Sequence, residues 1–133
     1  GHLRSSRRAF VWGYGHYPVF ASTAAIGAGL EVAVEQAVGK AHISALSASA
    51  AVTLPTALYL LTVWALHARH FKVGLAQQLV LPVAALLVIC CTFLREWAVL
   101  AAGLVCSAAV AAGVVLTARR AARHRADTGT PAG

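Results

Sequence analysis

Apolar residues fill four long runs of this chain, each closed by a short polar or charged stretch. A helix needs about 20 mostly apolar residues to cross a bilayer, and every run is long enough. The first extends over about residues 12–38, the second over 44–67, the third over 75–94 and the fourth over 97–118. A basic segment, residues 1–11, precedes them, and a basic tail, residues 119–133, follows and is expected to fray. Only Arg95 and Glu96 separate the third run from the fourth, which predicts a tight antiparallel hairpin.

Composition places lipid among the solvents of this chain. Of its 133 residues 59% are hydrophobic and 11% charged, whereas a soluble domain carries about 25% charged residues. The runs recur along the whole chain, so a single cleaved leader does not account for them. No Met is present, and Gly1 is therefore read as an internal residue of a longer protein.

The net charge of +7 does not point to nucleic acid, because the charges sit at the ends of the apolar runs. Arg4, Arg7, Arg8, Arg69, Lys72, Arg119, Arg120, Arg123 and Arg125 all fall on one side of a four-span bundle, with only Lys40 and Arg95 opposite. The positive-inside rule then predicts that both termini are cytoplasmic. Trp12, Tyr14, Tyr17, Trp64 and Trp97 lie near run ends, where amphipathic rings anchor a helix at the membrane boundary. Cys90, Cys91 and Cys106 have no CxxC spacing and read as small apolar residues.

Helices in lipid associate through close backbone approach and hydrogen bonds. Gly103, Ser107 and Ala111 form a row of small residues on the fourth run and are the expected packing surface there. The second run carries Ser49, Thr53, Thr56 and further hydroxyls around Pro55, which frees a backbone carbonyl that they could compensate.

Three ionisable residues of the first run are candidates for function. Glu31 and Glu35 are one turn apart and share a helix face. If the hydrocarbon begins near Pro18, Glu31 lies about 20 Å in and Glu35 about 26 Å, across a core about 30 Å thick. Acids at such depth face a bundle interior or water, so Glu31 is the leading candidate for a proton- or solute-binding acid. Glu35 approaches the far interface, within range of Lys40 and His42. His16 belongs to the aromatic belt at the near interface, about 22 Å along the axis from Glu31. His67 and His70 are three residues apart, but no third metal ligand accompanies them. The chain has no Gly-rich phosphate loop, GxSxG elbow or HExxH, and Gly13–Tyr14–Gly15 lacks the Thr-Val that precedes such a triplet in potassium filters. It is read as a non-enzyme that uses no cofactor and no metal.

Several features of the first two runs resemble the bacterial low temperature requirement protein A family. They are the Arg-containing start, the aromatic approach to Gly15-His16-Tyr17-Pro18, the small-residue run ending Gly29-Leu30-Glu31, and Ala57 to Leu61 within the second run. The family's Glu-Arg-Phe-Gly-type run followed by Leu-Gly-Glu is absent, which fits a C-terminal portion. The resemblance implies a polytopic membrane protein linked to growth at low temperature, with no established biochemical activity. It places His16 and Glu31 on motif-like positions.

The expected fold is therefore all-α, an integral membrane bundle of four transmembrane helices forming half of a larger polytopic protein in a bacterial inner membrane. Its expected partners are the lipid bilayer and either the remaining N-terminal half or another membrane subunit, not nucleic acid. Transport of a small solute or protons, using Glu31, His16 and Glu35, is the leading expectation. A non-transporting scaffold or assembly subunit involved in cold adaptation is the alternative.

Overall fold

The computed structural model describes residues 2–70 and 74–129, all helical apart from their connections. Lys72 lies outside the described residues, as do the side chains of Arg69 and His70. The elements are α1 (His2–Ala37), α2 (Ala45–His70), α3 (Leu75–Cys91), a 3-10 turn (Thr92–Trp97) and α4 (Ala98–Thr128). Three stretches are long and apolar enough to cross a membrane: Leu3–Ala37, Ala45–Ala68 and Leu75–Thr128.

The last stretch is not one straight rod. Arg95 has φ 53 and ψ −105, a conformation outside the helical basin that reverses the chain. Gln77 Nε2 donates to Thr117 Oγ1 over 3.1 Å, and the Arg120 guanidinium lies over Gly74. These pairs join the start of α3 to the later part of α4, so the two helices run antiparallel, as the short Arg95–Glu96 connection predicts.

α2 is the central element and touches each of the others. It runs antiparallel to α1, with Leu66 against Gly15 at one end and Ala51 against Gly29 at the other. Much of the interior is alanine: Ala48, Ala57, Ala84, Ala85, Ala98 and Ala102 are all buried. Small side chains let backbones approach, which is how helices gain contact when lipid removes any hydrophobic drive between them. Larger apolar residues face outward instead, among them Phe20, Leu86 and Leu104.

Two expectations change. The tail after residue 118 continues as helix through Thr128, because alanine and arginine are strong helix formers and nothing breaks the run before Gly129. The row Gly103, Ser107 and Ala111 is exposed, and a Cβ on Gly103 would meet open space. The packing row lies one position away, at Ala98 and Ala102, with Val105, Cys106 and Ala109 against the same cluster.

Candidate functional site

α1 presents two faces of different character. Ser22 and Gly29 are buried, and Ile26, Ala33 and Gln36 are half-buried, a three-to-four spacing that forms the face on α2. Pro55 has no N–H, so it leaves the Ala51 carbonyl one turn earlier without its helical donor. Gly29 sits against that same carbonyl, which a Cβ on Gly29 would strike. The Gly29 hydrogen that a Cβ would replace is aimed at the Ala51 oxygen, a Cα–H···O contact that recurs between closely packed helices. Pro55 and Gly29 thus act as a pair, one exposing an acceptor and the other allowing approach to it.

Glu31 and Glu35 occupy the other face and are exposed. Gly27, on the same side, has open space where a Cβ would stand. Among the described residues no hydrogen bond or ion pair holds either carboxylate. His42 is exposed and makes no bond to Glu35.

His16 is half-buried. Its Nδ1 lies 2.8 Å from the Trp12 carbonyl oxygen, and its ring centroid is 4.4 Å from that of Trp12. These contacts tie it to the aromatic belt. The three predicted residues are not brought together: Glu31 and Glu35 share a face one turn apart, and His16 stands near the other end of α1.

A second polar assembly is buried between α2 and the reversal. The Thr53 hydroxyl donates to the Ser49 carbonyl over 3.0 Å and lies 2.6 Å from the Thr92 hydroxyl. Since Thr53 has one proton, Thr92 is the donor to it. The Ser49 hydroxyl lies 2.7 Å from the Ala45 carbonyl and 2.7 Å from the Arg95 carbonyl, sharing one proton between them. These bonds hold the left-handed Arg95 turn to the start of α2. The Ser/Thr content of the second run signalled hydroxyls available for packing, but their partners Thr92 and Arg95 carry no local signal.

A cleft of about 810 Å³ opens along α2, α3 and α4, with Ile26 and Leu30 of α1 on one wall. Its body is apolar apart from Thr56, and Tyr59, Trp64, His67, Gln77 and Gln78 lie further toward the α2–α3 connection. Among the described residues no Asp, Glu, Lys or Arg lines it, and neither do His16, Glu31 or Glu35. His67 also bonds the Val63 carbonyl through Nδ1 at 3.0 Å. Among the described residues, no three His, Cys, Asp or Glu side chains are grouped to hold a metal ion.

The family model for bacterial low temperature requirement A protein matches residues 1–118 of the chain. No curated protein and no solved structure matches it.

Proposed function

The chain belongs to the bacterial low temperature requirement A family, and from that premise we propose that it is a membrane unit whose Glu31 binds a proton or small solute against another membrane segment. The observation that supports this reading is the position of Glu31. It lies deep in an apolar stretch, on the face of α1 turned away from α2, with small residues Gly27 and Ala28 beside it. An acid at that depth is not left to hydrocarbon, and none of the described residues supplies a cation or donor to it. A second segment carrying such a group completes the site. Glu35, one turn further along, forms its outer edge, and His16 marks the opposite mouth.

In this reading the three apolar stretches cross the membrane four times, since Leu75–Thr128 turns back at Arg95. The basic ends face the cytoplasm of a bacterial inner membrane. The partner is the remaining portion of a larger polytopic protein or a separate subunit, and no catalytic chemistry is involved.

The test is a Glu31→Gln variant at wild-type abundance in cells that supply the partner. We expect growth at low temperature, and proton flux into membrane vesicles read with a pH-sensitive dye, to fall to background. Wild-type growth and flux in that variant would overturn the reading.

A second reading has its own support. The buried hydroxyls Ser49, Thr53 and Thr92 are satisfied within the chain, and among the described residues the cleft along α2, α3 and α4 carries no charged side chain. On that basis the unit is a scaffold, with Glu31 serving only as an assembly contact. It then follows that Glu31→Gln, which keeps hydrogen-bonding capacity, supports normal growth, whereas Glu31→Ala loses the partner on co-purification.

A further inference from the structure

We propose that the groove between the start of α1 and the end of α2 binds one anionic phospholipid. Arg4, Arg7 and Arg8 would take the phosphate, with an acyl chain lying along the apolar floor below them. The groove encloses about 1280 Å³ and is lined by these three arginines, then by Val11, Trp12, Gly15 and Pro18. From α2 it receives Thr62, Ala65 and Leu66.

Helical spacing explains why the lining changes along its length. Arg4, Arg7 and Arg8 fall at i, i+3 and i+4, and Val11, Gly15 and Pro18 continue the same face. One face of α1 is therefore cationic for its first two turns and apolar beyond. Trp12, where the change occurs, is the residue type that sits at a membrane–water boundary. That boundary is all the site requires, whichever side of the membrane it faces.

The arginines are costly as they stand. Like charges three and four residues apart repel. The chain has only four acidic residues. Glu31, Glu35 and Glu96 lie at the opposite end of the bundle, and Asp127 lies near the end of α4. Among the described residues no carboxylate pairs with Arg4, Arg7 or Arg8. A phosphate removes that penalty, because guanidinium groups bind it bidentately. Basic grooves between membrane helices suit anionic headgroups for the same reason. A zwitterionic ethanolamine lipid would bring its own cation against the three arginines. A free phosphate would leave the apolar floor uncovered.

The experiment is native mass spectrometry of the full chain in detergent, titrated with dioleoyl phosphatidylglycerol and, separately, with dioleoyl phosphatidylcholine. We expect the anionic lipid to bind more tightly. Replacing all three arginines (R4Q/R7Q/R8Q) should weaken it about tenfold or more, on the scale of one or two lost charge-assisted hydrogen bonds. Removing three charges from α4 instead (R119Q/R123Q/R125Q) should change it by less than about twofold, since no α4 side chain lines the groove and exposed charges outside it are screened. Leu66→Trp keeps every charge but fills the floor, and it should weaken lipid binding as well. Equal affinity for the two lipids, or an equal loss from the α4 variant, would overturn the assignment in favour of diffuse attraction. Displacement of the lipid by glycerol phosphate at similar concentration would reduce the groove to a phosphate site. If the R4Q/R7Q/R8Q variant does not insert, unchanged affinity in Leu66→Trp would overturn the proposal by itself.

Discussion

Gly27 and Gly29 are two residues apart on α1 and meet opposite surroundings. Gly29 is closed against the Ala51 carbonyl, and nothing stands within 4 Å of where a Gly27 side chain would begin. Ser22 repeats the first situation and Glu31 the second. One helix thus carries a finished interface on one side and, on the other, small residues with an acid that has no partner among the described residues. The difference shows that a small residue in a membrane helix does not mark a contact; the groups opposite it decide.

Gly29 is where a substitution should damage the closed face most. Gly29→Ala places a methyl group in the Ala51 carbonyl, and backbone cannot move aside as a side chain can. We expect a loss of about 2 kcal/mol or more, the upper range for overpacking, measured by thermal unfolding in detergent. A neutral result would show that α1 and α2 do not meet there.

Thr53→Val probes the closed region through its hydrogen bonds. It leaves the Thr92 hydroxyl without its partner across the helices, and it should cost about 0.6 kcal/mol, rising toward about 1.7. A double-mutant cycle with Thr92→Val reads the coupling directly, and a coupling of zero would remove the bond from the account of the turn.

On the open face the sign should reverse. Gly27→Ala meets no obstacle and reduces the freedom of the unfolded helix, so a gain of about 0.5–1 kcal/mol is expected. A loss would reveal a neighbour on that face. The smallest effect belongs to Glu31→Gln in the isolated chain, within about 0.5 kcal/mol, as for surface substitutions generally. A large drop in unfolding temperature would place the acid inside the bundle and undo the contrast between the two faces.

The division of the sequence into apolar runs was readable because bilayer thickness imposes a length on every crossing segment. The family was readable from Gly15–Pro18 and Gly29–Glu31. Which face of each helix would be buried was not. In water an apolar stripe identifies the inner face, but in lipid the outer face is apolar too, so Phe20, Leu86 and Leu104 look like core residues and are not. The same ambiguity favoured Gly103–Ser107–Ala111 over Ala98–Ala102, although the partners Ala84, Ala85 and Val88 make the choice. The outward direction of Glu31 was hidden likewise, because its depth follows from counting residues and its facing only from where α2 sits. Arg95 was expected in a short turn, but its left-handed backbone is held by Ser49, a residue 46 positions away.

The contact between Gly29 and the carbonyl released by Pro55 also bears on temperature. Apolar burial against water weakens as the solution cools. The seam between α1 and α2 draws instead on close dispersion contact and a weak Cα–H···O attraction, in surroundings where expelling water contributes little. Those two terms are enthalpic, and thermal motion opposes them less in the cold. An interface built in this way tightens as the membrane is chilled.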